Sequence, residues 1–198
     1  MRVGVTGIFA SGKGTVCAMF EKLGAVVIDT DIIAKEIMEP GEVGFVEAVK
    51  IFGDGFLNED GTLNRRKFAN HIFADKDRVA LLNSIMHPII HERTMSLSAG
   101  DDIYMLNVPL LFETGLDKLM ACSIVVVAER EQAIERGMLR DNISEKEIIS
   151  RLEHQIPLNE KKRLADYIID NSGTPENTQR QVLQIWNILT ADNQEQQK

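Results

Sequence analysis

Nine residues near the start of the chain, Gly7-Ile8-Phe9-Ala10-Ser11-Gly12-Lys13-Gly14-Thr15, follow the apolar run Val3-Gly4-Val5 and precede Val16, Met19, Phe20 and Leu23 at helical spacing. That order predicts a strand, a tight loop and a helix, with Gly24 as the helix stop. A Gly-x-x-x-x-Gly-Lys loop gathers successive backbone N–H groups and the positive end of a helix at one point, and its lysine ammonium reaches over them. A polyphosphate suits such a loop, so the expected ligand is a nucleoside triphosphate. The plainer reading, a glycine-rich turn with no ligand, is disfavoured by the strand before it and the helix after it.

The residue after Lys13 is Gly14, not the hydroxyl residue that normally ligates magnesium in such loops, and the hydroxyl comes one later as Thr15. Lys-Gly-Thr resembles the adenylate-kinase type of loop.

Length and charge narrow the classes. At 198 residues with 44% hydrophobic composition, the chain suits one domain of ordinary size or one with a large insertion. A net charge of −8 argues against a duplex nucleic-acid binder, whereas a small anionic substrate held by a few arginines is compatible. No apolar run approaches a membrane span, and the N-terminus enters a strand without signal-peptide features, so a cytoplasmic protein is expected. Cys17 and Cys122 have no partners at metal spacing and are expected to be reduced thiols.

Beyond the first helix, Ala25 to Ile28 reads as a buried strand ending in Asp29-Thr30-Asp31, which places two carboxylates at its C-terminal edge, facing the phosphate loop. The span 32–100 has helical patterns and no strand, and is expected to be a helical insertion. Within it Asn64 caps a helix from Arg65, Asp75 caps another with Val79, Leu82 and Met86 on one face, and His87-Pro88 opens a third. Strands resume at Ile103 to Val108 and Ser123 to Val127, with a helix from about Glu131 to Arg140. Ser144-Glu145-Lys146-Glu147 matches a capping box, and Tyr167 to Asp170 is a last short strand running into Asn171-Ser172-Gly173. Thr174-Pro175 caps a closing helix with Val182, Ile185, Trp186 and Leu189 in one stripe, and residues 191–198 form a polar, frayed tail. The fold class is therefore α/β: a doubly wound, five-stranded parallel sheet with ligands at its carboxyl edge, where Gly7, Asp29, Asp31, Asn107 and Asn171 fall.

Phosphoryl transfer needs a phosphate cradle, a bridging metal, a group for the nucleophile's proton, and cations over the migrating charge. Asp29 and Asp31 can divide the metal and acceptor roles, or be no more than solvated or helix-capping acids. Arg136 and Arg140 share a helix face and Arg151 follows on the next helix; they can close over phosphates, or form a solvated face paired with Glu135 or Asp141. His87 and His91 lack the glutamate placement of a zinc helix and read as capping or packing residues. The basic run Arg65-Arg66-Lys67 faces an anion or water.

Taken together, the chain resembles the dephospho-CoA kinase family from Arg2 to Leu189. The resemblance rests on Val5-Thr6-Gly7 with Ser11-Gly12-Lys13, on Val27-Ile28-Asp29-Thr30-Asp31, on Asp60-Gly61-Thr62-Leu63-Asn64-Arg65-Arg66, on His87-Pro88, and on Val108-Pro109-Leu110-Leu111-Phe112-Glu113. It continues through Arg136, Arg140-Asp141, Arg151 with Gln155, and Ala165 to Gly173. It implies ATP- and magnesium-dependent phosphorylation of the ribose 3′-hydroxyl of dephospho-CoA, the last step of coenzyme A synthesis, in a fold of the nucleoside monophosphate kinase type. The nucleotide core would be 1–31 with 101–190, the lid about 136–156, and the CoA-binding insertion 32–100. Lys13, Asp31 and Arg140 fall on catalytic positions, Asp31 as base and Arg140 as lid arginine. Ala10, Ser11, Gly12, Lys13, Gly14, Thr15, Asn171 and Gly173 fall on the nucleotide side; Thr6, Asp31, Arg65 and His87 on the substrate side; Thr15 and Asp29 at the metal. The implied partners are small molecules, dephospho-CoA and ATP, with no nucleic acid and no membrane, and the chain acts as a monomer or small homo-oligomer. The loop departs from the family's usual Thr-Gly-Gly-Ile-Gly-Ser-Gly-Lys-Ser-Thr at Ile8, Phe9, Ala10 and Gly14. Shikimate, gluconate or nucleoside monophosphate kinases share the loop, but the long insertion suits a long substrate better than a small sugar acid. A GTP switch lacks its guanine-reading Asn-Lys-x-Asp here, and an ATPase motor its Walker B aspartate.

Overall fold

Short continuous apolar runs with abrupt polar stops build five short strands, β1 (Arg2–Gly7), β2 (Val26–Asp29), β3 (Tyr104–Asn107), β4 (Cys122–Val127) and β5 (Tyr167–Asp170), into one parallel sheet of order β2-β3-β1-β4-β5. The computed structural model describes residues 1–153 and 155–196, apart from the side chains of Arg151 and Gln196. The expected arginine contribution from Arg151 therefore lies outside the described residues. Val5 pairs with Asn107 on one side and Ile124 on the other, which makes β1 the central strand and delivers Gly7 to the middle of the carboxyl edge.

The chain divides into two compact units, Met1–Ile28 with Gly100–Lys198, and Asp29–Ala99. In the first, α1 (Lys13–Glu21) and α9 (Pro175–Gln196) cover one sheet face. Val16, Phe20, Val182, Ile185 and Leu189 bury themselves there against Val3, Val5, Ile124, Val126 and Ile169. Each fully buried side chain of this size contributes about 1.5–3 kcal/mol. Phe20 and Trp186 meet as tilted rings with centroids 6.3 Å apart. The expected stripe on the closing helix is the one that packs. In the expected frayed tail, the described residues 191–196 continue α9, carried by helix-favouring Ala191, Gln194 and Glu195. The unit also holds α6 (Arg130–Asp141), α7 (Glu145–Glu153) and α8 (Leu158–Leu164). Ser144 and Glu147 form the reciprocal capping box at the start of α7: the Ser144 N–H donates to the Glu147 carboxylate at 2.9 Å and the Glu147 N–H to Ser144 Oγ at 3.4 Å.

The second unit is helical: α2 (Thr30–Glu36), α3 (Val43–Phe52), α4 (Arg65–Phe73) and α5 (Lys76–Leu97), with α5 packed against the other three. Phe68 is buried between Phe52 and Phe56, both edge-on at 5.6 and 5.5 Å. Asn64 caps α4 through the Lys67 N–H and Asp75 caps α5 through the Asp77 N–H. The expectation that His87-Pro88 opens a separate helix is corrected, since Pro88 lies inside a continuous α5. Proline removes one ladder hydrogen bond, but packing against three neighbours holds the helix across it. Among the described residues no helix is long and apolar enough to cross a membrane.

Candidate active site

The phosphate loop is shaped by conformations that few residues accept. Ala10 sits at φ 56° and Gly12 at φ 92°, both left-handed. Glycine adopts this region freely, while alanine is strained there by about 1–2 kcal/mol. That is the physical content of the Ala10 departure from the family loop. Gly12 has a second constraint, for a Cβ on it would collide with Asn171 Nδ2. The Asn171 amide donates to the Ser11 carbonyl at 2.9 Å and accepts from Thr178 Oγ1 at 3.0 Å, so the β5–α9 turn clasps the loop. Gly173, two residues on, is exposed in the same turn.

α1 begins at Lys13 behind a glycine that has no side chain to cap it, and its first turn carries no acid. Its leading N–H groups have no carbonyl partners within the helix, an arrangement that attracts phosphate. Ser11 Oγ is buried without a hydrogen-bond partner, an orphaned polar atom inside the loop. Lys13 Nζ donates to the Gly7 and Ile8 carbonyls at 3.3 and 3.1 Å, folded back over the loop that it serves. Gly14 and Thr15 are exposed, and nothing lies within 4 Å of a Cβ built on Gly14.

Thr6, fully buried just before the loop, donates to the Pro109 carbonyl at 3.2 Å. Around the far side of the loop stands α6. Arg136 reaches the Asn171 carbonyl at 3.2 Å, and Arg140 places its guanidinium 5.1 Å from the centre of the Phe9 ring while pairing with Asp141 at 2.7 Å. Gly137 lets Phe9 and Ile148 approach α6, since a Cβ there would meet both at 2.9 Å. A cavity of 520 Å³ opens at the ends of β1, β4 and β5, lined in part by Ile8, Val127, Arg130, Gln155, Lys162 and Asp170. The Asp170 carboxyl is held below its ordinary range by hydrogen bonds from the Ser172 N–H and hydroxyl, with Lys162 adding to the effect.

In the helical unit, Asp29 caps α2, its carboxylate accepting the Asp31 N–H at 2.8 Å, so the capping role weighed for this pair is realised by Asp29. Asp31 is exposed in the first turn of α2. Arg65 donates to Glu39 at 2.7 Å and to the Lys35 carbonyl at 3.3 Å. His87 stacks on His91 with ring centroids 6.3 Å apart; desolvation keeps both imidazoles below their ordinary range, and His87 adds to the effect on His91. Among the described residues no three His, Cys, Asp or Glu side chains group to hold a metal.

One group was not singled out from sequence as a site residue. Lys161 on α8 is fully buried, 2.8 Å from Glu113 Oε1 and 3.0 Å from the Pro109 carbonyl. It stands beside Lys162 and Arg163 in a polar run, and only its spacing from Leu158 on the inward face of α8 could have marked it.

A dephospho-CoA kinase family model matches residues 1–177. A dephospho-CoA kinase from Bacillus licheniformis is 39% identical over 188 residues, covering 92% of this chain and 94% of that one. The crystal structure of TT1252 from Thermus thermophilus superposes with a TM-score of 0.83 at 29% identity, over 96% of this chain and 97% of that one. A dephospho-CoA kinase from Campylobacter jejuni superposes with a TM-score of 0.71 at 25% identity, over 97% and 98%. On the match across nine-tenths of its length, the chain belongs to the dephospho-CoA kinase family.

Proposed function

We propose that this chain transfers the γ-phosphoryl group of ATP to the ribose 3′-hydroxyl of dephospho-CoA, giving coenzyme A and ADP in the cytoplasm. One observation carries the reading: the family match covers the phosphate loop and the whole helical insertion together, the nucleotide side and the acceptor side of one reaction. The loop N–H groups from Ala10 to Thr15 bind the β- and γ-phosphates, and Lys13, released from the Gly7 and Ile8 carbonyls, neutralises the charge between them. Asn171 and Gly173 flank the nucleotide. Magnesium, when bound with ATP, supplies charge neutralisation on the phosphates; Thr15 and Asp29 are the protein groups that would hold it. Asp31 orients the 3′-hydroxyl and takes its proton. Thr6, Arg65 and His87 serve the acceptor, within an insertion at 32–100. Arg140 acts from a lid at about 136–156, leaving Phe9 and Asp141 for charge that develops in transfer.

The test is ADP release with ATP and magnesium in the presence of dephospho-CoA, AMP, adenosine or shikimate. Turnover with dephospho-CoA far above the other three is expected. Preference for AMP or shikimate would overturn the assignment and make this a different small-molecule kinase.

A further inference from the structure

Buried lysines are rare because removing an ammonium from water is costly unless it is both paired and hydrogen-bonded. Lys161 is fully buried, and its two partners lead in opposite directions to the phosphate loop. Its ammonium donates to the Pro109 carbonyl at 3.0 Å, and that same oxygen accepts Thr6 Oγ1 at 3.2 Å, immediately before Gly7. Its other partner is Glu113 Oε1, at 2.8 Å, which also accepts the Ile156 N–H at 3.0 Å. The neighbouring Gln155 accepts the Phe9 N–H through Oε1 at 2.9 Å, inside the loop. The contacts close a ring with the phosphate loop as one side and the join between α7 and α8 as the other.

We infer that Lys161 is a positioning residue for phosphoryl transfer, setting the phosphate loop and the C-terminal base of α7 in register through Pro109 and Glu113. The inference rests on the proposed kinase reading for its kinetic test but not for its structural one. A lysine that served stability alone would need neither a carbonyl shared with Thr6 nor a carboxylate shared with Ile156. Glu113 Oε2 is buried without a hydrogen-bond partner, so the printed contacts of the carboxylate all converge on Oε1, which Lys161 and the Ile156 N–H share. Replacing a buried ion pair by neutral groups of similar volume is often neutral in stability, whereas removing one partner strands the other.

The informative variant is therefore Glu113→Gln with Lys161→Met, which keeps an acceptor for the Ile156 N–H, removes both charges together and breaks the ring at Lys161. We expect kcat to fall about tenfold or more, as misplaced reacting groups do, with the KM of dephospho-CoA within about twofold of wild type. Wild-type kcat in the folded double variant would overturn the inference. Independently of any variant, the Phe9 and Ile156 amides of the wild-type protein should exchange with solvent by one common opening, slower than the exposed end of α6 at Asn142. Separate openings for Phe9 and Ile156 would overturn it as well. Absence of dephospho-CoA turnover in the wild type would instead count against the proposed function and leave the exchange result standing.

Discussion

Asp29 and Asp31 carry the same charge two positions apart, yet the backbone separates their work. Asp29 is the N-cap of α2 and Asp31 lies in its first turn. Asn caps a helix about as well as Asp, so Asp29→Asn should shift stability by no more than about 0.5 kcal/mol, and a larger loss in thermal unfolding would count against a simple cap. In magnesium titrations at saturating ATP, the Asp29 variant should be partly rescued by added metal and the Asp31→Asn variant should stay impaired throughout. The opposite pattern would reverse the two roles. Gly14→Ser meets no steric obstacle and restores the usual hydroxyl, so apparent magnesium affinity should tighten. An unchanged titration would mean that Thr15 or water already fills that position.

At the scale of elements, the signals that act locally were readable. The caps Asn64, Asp75 and Ser144 with Glu147 formed where their side chains reach their own helix's N–H groups, and the short apolar runs became strands at nearly the expected bounds. Features decided by distant packing were not. Pro88 reads as a helix start, and only the neighbours of α5 make it an interior residue. Lys161 stands next to Lys162 and Arg163, and its burial depends on Glu113 and Pro109, far off in sequence. Of the candidate site, the phosphate loop was legible and its clasp by Asn171 was legible only as proximity at a strand end; the resting contact of Arg140 with Phe9 was not. Arg140→Ala should cost no more than about 1 kcal/mol in stability, because the Arg140 side chain is itself mostly exposed, yet lower kcat by about a hundredfold. A change confined to the KM of ATP would make Arg140 a ground-state binding residue. For α5, the histidine pair gives a pH dependence. The unfolded chain binds more protons than the fold just below the ordinary histidine pKa of 6.5, so this contribution to stability is complete above that value and is lost as pH falls. The thermal midpoint should drop between about pH 7.5 and 5.5, and His87→Gln with His91→Gln should shrink the drop. An unaltered drop would place the titration elsewhere.

For the molecule as a whole, the parallel sheet supplies a loop and an uncapped helix end that suit a polyphosphate, and 29–99 forms a separate helical unit, the proposed acceptor side. The proposed transfer goes to one hydroxyl and depends on Lys13. Lys13 is half-buried on the loop, donates to the Gly7 and Ile8 carbonyls and is no part of the apolar core, so Lys13→Ala should leave the fold intact. The most direct test is phosphorus NMR of the product formed from dephospho-CoA and ATP. A new phosphomonoester coupled to the ribose 3′ proton, formed by the wild type and absent with Lys13→Ala, is the predicted result; a phosphoryl group on another hydroxyl, or undiminished product from the Lys13 variant, would contradict it.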